Sequence, residues 1–351
     1  MSLRERDGAA GAPWDRPLHG TLTRHVVESD LLAGNPLGDP AHRPLWVYLP
    51  PGVERDHPRP LPSVYVIQGY TGQIDMWANR TAFEPTFLER LDHLFATGDC
   101  PDAVVVMVDA WTSFGGSQFL DSSSTGPYMT YLCEEVVGFV DEQYPTVAHR
   151  DHRGLTGKSS GGYGAMVVPM LRPDVFGALA SHCGDALFEV CYADFRVAAR
   201  KLRDEFDGSY EVFFEKLAAA DHVDFDTYAA PLEAYGYAAA YSPDPGAPGK
   251  ALLPFELSTG RVVEDVWAQW LDRDPVRLAP THADALRSMK RIYLDAGNRD
   301  EYFLDLGATA FAHEVEKAGA TCTLELFDGT HAGLTYRYPG AIRELVLALA
   351  P

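Results

Sequence analysis

Short, wholly apolar segments alternate with longer amphipathic segments along most of this chain, and this alternation limits the folds that it can adopt. The clearest apolar segments are Ser63–Gln68 and Ala103–Val108, which end abruptly at Gly69 and Asp109. Runs of this kind are typical of strands that are buried on both faces. Intervening segments such as Tyr128–Tyr144 carry apolar residues at helical spacing. The pattern therefore predicts an α/β fold with helices on both faces of a mostly parallel central sheet.

The same criteria assign the remaining elements. The predicted strands are Thr21–Glu28, Pro44–Leu49, Ser63–Gln68, Ala103–Val108, Gly154–Gly157, Ala178–His182, Arg291–Leu294 and Thr321–Phe327. The predicted helices are Phe83–Ala96, Tyr128–Tyr144, Ser160–Leu171, Phe188–Glu205, Tyr210–Ala219, Val262–Leu271, Glu301–Ala318 and Pro339–Leu349.

The alternation is interrupted once, and the interruption predicts the domain organisation. Residues 1–19 are rich in Gly, Ala, Pro and charge and are interpreted as an N-terminal arm. Residues 20–183 form the first part of the α/β core, and residues 287–351 form its second part. Between them, residues 184–286 show helical segments without strands, which predicts a helical insertion, either a lid or plain packing helices.

Charge and cysteine content narrow the class of protein. A net charge of −21 disfavours binding to nucleic acid or to an anionic membrane. The five cysteines are an odd number without a C-x-x-C pair, so neither a zinc site nor a disulfide framework is expected. The N-terminus lacks the apolar core of a signal peptide, and no apolar run is long enough to cross a membrane. These features predict a cytoplasmic protein, which is free to form homo-oligomers.

The segment Leu155–Ala165 contains the motif G-x-S-x-G, in which Gly157 and Gly161 flank Ser159. A strand is predicted before the motif and a helix after it. Glycine at both flanking positions allows the chain to turn sharply and approach its neighbours closely, which exposes the serine hydroxyl at the carboxyl edge of the sheet. Ser159 is therefore the predicted nucleophile.

Part of this segment also resembles a phosphate-binding loop. Gly157-Lys158-Ser159 matches the end of the pattern G-x-x-x-x-G-K-[ST], but the first glycine of that pattern is replaced by His152. The missing glycine therefore disfavours the alternative of nucleotide binding.

A serine nucleophile requires a base, and His331 is the predicted base. It lies in a glycine-bracketed loop directly after the last predicted strand. His182 also follows the nucleophile but lies at the end of the next strand, and His313 is interpreted as a helix-surface residue.

The base requires an orienting acid from the loop after the penultimate strand. This loop offers three carboxylates, Asp295, Asp300 and Glu301. Asp295 is nearest the strand, and Glu301 is expected to start the following helix. Asp300, which follows the glycine turn, is favoured over both.

Two further sets of residues are predicted around the nucleophile. The backbone N–H groups of Ser160 and Tyr70 are the expected oxyanion-hole donors, although a tight βα turn is an alternative explanation for the glycines beside Tyr70. The residues proposed to line the substrate pocket, with plain packing as the alternative, are Trp77, Trp111, Phe119 and His182.

Taken in order, these motifs resemble the esterase family of α/β hydrolases, which includes esterase D, enterochelin esterases and feruloyl esterases. The segments that carry the resemblance are Gln68–Gly72, Tyr128–Tyr144, Gly157–Gly162, Gly297–Asp300 and Gly329–His331. The resemblance implies the α/β-hydrolase fold, a Ser159–Asp300–His331 triad, oxyanion donors at Tyr70 and Ser160, and no metal or cofactor. Gln68-Gly69 replaces the usual His-Gly pair, and the insertion is longer than in compact members.

We therefore expect a serine esterase that hydrolyses a small-molecule carboxylic ester through an acyl-enzyme intermediate. An acyltransferase would use the same residues with an alcohol as acceptor. A non-catalytic binding module of the same fold is the remaining alternative, which the occupied triad positions disfavour.

Overall fold

The computed structural model describes residues 17–192 and 195–350, so most of the predicted N-terminal arm lies outside the described residues. Eight strands of the described part form one sheet in the order β1-β2-β4-β3-β7-β8-β9-β10. These strands are β1 Thr21–Glu28, β2 His42–Leu49, β3 Ser63–Ile67, β4 Val104–Val108, β7 Arg153–Lys158, β8 Ala178–His182, β9 Arg291–Gly297 and β10 Thr323–Phe327. A separate pair is formed by β5 Asp121–Ser122 and β6 Gly126–Pro127. The strands from β4 to β10 in the main sheet pair in parallel, and β1 and β2 are antiparallel.

Strands β3 and β4 are buried on both faces, as their apolar sequences predict. Along β3, Val64 and Val66 pack in the cluster on one side of the sheet. Tyr65 and Ile67 pack in the cluster on the other side. Burying each of these side chains contributes roughly 1.5–3 kcal/mol relative to exposure. An unbroken apolar run is thus required because alternate residues belong to two separate cores.

The helices of the core cover both faces of the sheet. They are α1 Phe87–Ala96, α2 Tyr128–Thr130, α3 Val137–Gln143, α4 Ser160–Leu171, α12 Leu304–Lys317 and α13 Tyr338–Leu349. A π-helical stretch, Tyr131–Val136, joins α2 to α3. Helix α1 begins later than predicted, because Thr86 and Glu89 form a reciprocal capping box that fixes its first turn.

Residues 184–286 contain helices and no strand of the main sheet among their described residues. The helices are α5 Phe188–Cys191, α6 Arg196–Glu205, α7 Tyr210–Ala219, α8 Phe225–Tyr241, α9 Glu264–Leu271, α10 Pro275–Leu278 and α11 Ala283–Arg287. The predicted segment Phe188–Glu205 is interrupted, and α8 was not predicted. Pro231 and Gly236 disfavour a helix at this position, but buried Ala234, Tyr235 and Ala238 anchor α8 in the apolar cluster. Whether this region moves as a lid stays a prediction.

The observed sheet and helices confirm the predicted fold class, a mostly parallel α/β structure of the α/β-hydrolase type. Within the described residues, no helix is both long and apolar enough to span a bilayer.

Candidate active site

Ser159 occupies a strained turn between β7 and α4. Its φ and ψ are 58° and −126°, a combination that non-glycine residues rarely adopt. Its backbone N–H donates to the carbonyl of His182 over 3.0 Å. A Cβ atom at Gly157 would lie 2.5 Å from the backbone of Gly161, and one at Gly161 would lie 2.5 Å from the carbonyl oxygen of Ile67. Only glycine therefore allows the turn that presents Ser159.

Ser159, His331 and Asp300 form one hydrogen-bonded series. His331 Nε2 lies 3.1 Å from Ser159 Oγ, and His331 Nδ1 lies 2.8 Å from Asp300 Oδ2. Burial alone would raise the pKa of Asp300, but the hydrogen bond and charge of His331 outweigh it and hold that pKa below its ordinary value. A hydroxyl, an imidazole and an ionised carboxylate in this order can transfer a proton from the serine to the histidine.

The other two carboxylates of the same loop have different partners. Buried Asp295 accepts from Arg337 Nε over 2.9 Å, and its second oxygen lies 2.7 Å from His182 Nδ1. Glu301 is exposed and accepts from the backbone N–H of His331 over 3.0 Å. The structure therefore brings Asp300, and neither Asp295 nor Glu301, to the ring of the predicted base.

The two residues predicted as oxyanion-hole donors lie on either side of Ser159. Ser160 is the first residue of α4, and Tyr70 lies on the wall of the cavity described below. The loop after β3 is folded by a bond from the N–H of Thr71 to the carbonyl of Gly115 over 2.8 Å. The Tyr70 hydroxyl lies 2.7 Å from the carbonyl oxygen of Phe114 and 2.9 Å from that of Leu232. This hydroxyl ties the loop to α8. The role of both backbone N–H groups stays a prediction.

A cavity of about 720 Å³ opens directly in front of Ser159. Its floor includes Lys158, Ser159 and His331, which the core supplies. Its opposite wall includes Tyr192 after α5 and Glu233 in α8. The volume is that of a typical small-molecule site, and the wall shows that the helical region contributes directly to it.

Three ionisable groups besides the His331–Asp300 pair give the cavity its electrostatic character. Burial raises the pKa of Asp185, although hydrogen bonds led by that from Tyr192 partly offset it. Burial, reinforced by the charge of Asp185, raises the pKa of Glu233 to about 7. Burial lowers the pKa of Lys158. These shifts mark a desolvated site in which burial disfavours the charged form of each group.

Of the four residues predicted to line the pocket, the structure places only Trp77 there. Phe119 is buried in the core, where its ring packs against Gly164 of α4. His182 is fully buried and paired with Asp295. Trp111 follows β4 but lies outside the cavity lining. The prediction is wrong for these three, because the end of a strand fixes where a residue lies but not where its side chain points.

Sequence reasoning missed Lys158, Asp185, Tyr192, Glu233 and Tyr237 as cavity residues. Lys158 was considered only as part of a phosphate-binding motif. Glu233 and Tyr237 lie in the helix that was not predicted, so no sequence signal connected them to the nucleophile.

One cluster in the site has metal-ligand chemistry. Ligand atoms of Cys183, Asp300 and His331 lie within 4.8 Å of one another. Burial raises the pKa of the Cys183 thiol, which disfavours the thiolate that a metal would require. Asp300 and His331 are already bonded to each other. The donor set therefore fits a hydrogen-bonded pair better than a metal centre.

Comparison with known proteins identifies the family and the fold. Residues 40–337 match the family model described as "Putative esterase". A solved ferulic acid esterase is similar with a TM-score of 0.60 at 17% identity, covering 95% of this chain and 98% of that one. An S-formylglutathione hydrolase from Agrobacterium tumefaciens is similar with a TM-score of 0.57 at 16% identity, covering 96% and 98%. At these identities the structural similarity shows the fold alone.

A curated relative is an uncharacterised protein of Corynebacterium glutamicum, 27% identical over 144 residues. The match covers 40% of this chain and 32% of the relative, so the chain spans about a third of that protein's length.

Proposed function

Because the chain belongs to this esterase family, we propose that it is a serine esterase that hydrolyses a carboxylic ester through an acyl-enzyme on Ser159. The observation that carries the proposal is the series Ser159–His331–Asp300, with separations of 3.1 Å and 2.8 Å between consecutive side chains. The cavity in front of Ser159 supplies room for an ester of small-molecule size.

In the acylation step, Ser159 Oγ attacks the ester carbonyl carbon while His331 Nε2 accepts the hydroxyl proton. Asp300 stabilises the resulting imidazolium through its bond to Nδ1. The backbone N–H groups of Ser160 and Tyr70 stabilise the negative charge that develops on the carbonyl oxygen. His331 then donates its proton to the departing alkoxide, which leaves as the alcohol.

In the deacylation step, a water molecule takes the place of the alcohol. His331 Nε2 accepts a proton from this water as it attacks the acyl carbon, and then returns the proton to Ser159 Oγ. The carboxylic acid is released and the enzyme is regenerated. No step requires a metal or an organic cofactor.

The test is hydrolysis of p-nitrophenyl esters from acetate to octanoate by the native protein and by Ser159→Ala. We expect the variant to lose roughly a million-fold in turnover, as for other hydrolases that lose their nucleophile. The native protein should also gain the mass of the acyl group when a slowly hydrolysed ester is added, and Ser159→Ala should not. Equal turnover by the two proteins would exclude Ser159 as the nucleophile.

A further inference from the structure

The cavity in front of Ser159 contains acidic side chains besides the triad. Glu233 of α8 and Asp185, which follows β8, both line the cavity. Asp185 is satisfied by its surroundings: the Tyr192 hydroxyl donates to Oδ2 over 2.5 Å, and Ser160 Oγ donates to the same oxygen over 3.2 Å. When two carboxyl groups line one cavity, the negative charge of one raises the free energy required to ionise the other, unless a cation binds near both.

Glu233 lacks such a cation among the residues that the structure describes. Across residues 17–192 and 195–350, no lysine, arginine or histidine forms an ion pair with Glu233, and its surroundings act on it only through burial and the charge of Asp185. Lys158 lines the same cavity, but the charges that act on it are those of Cys183, Asp300, Asp185 and Glu301. Lys158 directly precedes the nucleophile, and no ion pair joins it to Glu233 in the part of the chain that the structure describes.

Aromatic rings surround this part of the wall. The rings of Tyr192 and Tyr237 have centroids 4.7 Å apart, and those of Tyr70 and Tyr237 have centroids 5.0 Å apart. All three residues line the cavity. Aromatic faces attract organic cations, most strongly where water is excluded.

We propose that the cavity selects esters that carry a quaternary ammonium group, which binds between Glu233 and the rings of Tyr192 and Tyr237. This inference rests on the proposed function, because it assigns a substrate class to the same site. A weakly hydrated cation loses little hydration free energy when it leaves water. In the cavity it neutralises Glu233 and contacts the tyrosine faces. A neutral alkyl group of the same shape provides only the apolar contact and leaves the carboxylate uncompensated.

The affinity for such a cation should depend on pH through Glu233. The groups that act on or face Glu233 are Asp185, Tyr70, Tyr237 and Tyr302. The other ionisable groups that line the cavity are Lys158, Cys191, Tyr192, Glu301, His331 and Tyr338. The pKa of Glu233 is about 7, so the side chain is largely protonated below that pH and ionised above it. Binding of a permanent cation should therefore strengthen as pH rises through 7.

The experiment titrates Ser159→Ala, which binds without turnover, with choline and with its neutral isostere 3,3-dimethylbutan-1-ol, using calorimetry at about pH 8. We expect choline to bind at least roughly tenfold more tightly. Adding Glu233→Gln should reduce this preference severalfold, to the contribution of the tyrosine faces alone. Adding Glu215→Gln, which removes an exposed carboxylate of α7 outside the cavity, should leave it intact.

Equal affinities for the two probes, or a preference that Glu233→Gln leaves undiminished, would overturn the inference. If Glu233→Gln fails to fold, the same titration of Ser159→Ala at about pH 6 replaces it, and an unchanged choline affinity there would count equally against the proposal. Binding to Ser159→Ala does not depend on turnover. Failure of this test is thus distinct from failure of the esterase function, which is decided by ester hydrolysis in the native protein.

Discussion

Asp300 and Asp295 carry the same functional group in one loop, yet each pairs with a different histidine. Asp300 bonds to His331, whose other ring nitrogen reaches Ser159. Asp295 bonds to His182, which is fully buried. Removing the charge of Asp300 should lower kcat, whereas removing the charge of Asp295 should lower the free energy of unfolding.

Asp300→Asn should lower kcat by roughly 10⁴-fold with little loss of folded protein, because an amide no longer fixes the His331 tautomer that accepts the serine proton. Asp295→Asn should instead reduce the free energy of unfolding by on the order of 3 kcal/mol, because it leaves Arg337 without its buried partner. Steady-state kinetics and thermal unfolding of both variants test this. If Asp295→Asn stays folded but loses as much kcat as Asp300→Asn, the assignment of the acid is wrong.

Among the individual residues, Ser159, His331 and Asp300 were predictable from the sequence, because a motif and their order along the chain identify them. The motif predicts where Ser159 lies because the glycines beside it permit few backbone conformations. It could not predict that Phe119 and His182 point into the core, because strand register and packing determine side-chain direction.

Helix α8 links the helical region to the loop that carries Tyr70. Gly236 of α8 lies so close to Tyr70 and to the loop after β4 that an added Cβ would lie 2.5 Å from the carbonyl oxygen of Phe114 and 2.7 Å from the Tyr70 hydroxyl. The Tyr70 hydroxyl lies within hydrogen-bonding distance of the carbonyl oxygens of Phe114, in the loop after β4, and Leu232, in α8. The position of one predicted oxyanion donor thus depends on an element that is distant from it in sequence.

Tyr70→Phe should cost about 1–3 kcal/mol of stability, because it leaves the Phe114 carbonyl without its hydroxyl donor. It should also lower kcat, because the loop that carries the Tyr70 N–H loses its attachment to α8. Tyr210→Phe is the matched control: it removes a hydroxyl bond to the Pro231 carbonyl, over 3.0 Å, that joins α7 to α8, and it leaves both Tyr70 contacts in place. Thermal unfolding and p-nitrophenyl acetate hydrolysis should show similar stability losses but a lower kcat only for Tyr70→Phe. A similar decrease in kcat for both variants would contradict the coupling.

The strands and helices of the core were predictable because each has a local pattern, whether an unbroken apolar run or a capped amphipathic face. Helix α8 was not, because Pro231 and Gly236 argue locally against it. Its stability comes from packing in the apolar cluster, a contribution that local sequence does not reveal.

The surface of the whole molecule is strongly acidic, but the mouth of the cavity is apolar. Large apolar side chains that are partly exposed gather there, and we call them the apolar rim: Met76, Val190, Val197, Tyr302 and Phe303. Such a patch at the entrance to a site provides a contact for an apolar part of the substrate. The rim is built from loops and helices of both the core and the helical region, so composition alone could not predict it.

Phe303→Asn should shift the preference away from long acyl chains. Phe303 is 55% exposed and has a φ of 59°, a conformation that asparagine tolerates well, so the fold should be retained. We expect kcat/KM for the octanoate ester to fall roughly 4- to 15-fold relative to acetate, because losing contact with one or two methylenes costs about 0.8 kcal/mol each. Phe83→Asn, at an exposed position outside this cavity, serves as the control. An unchanged octanoate-to-acetate ratio would exclude the rim from chain-length selection.

The order in which the chain supplies its reactive groups has a consequence for biosynthesis. Ser159 follows the fifth strand of the main sheet in chain order, whereas Asp300 and His331 follow its last two strands, β9 and β10. On the proposed mechanism, a nascent polypeptide that has emerged from the ribosome only as far as β8 already holds the nucleophile but neither its acid nor its base. Hydrolytic competence would therefore arise late in translation, once β9 and β10 have docked at the edge of the sheet.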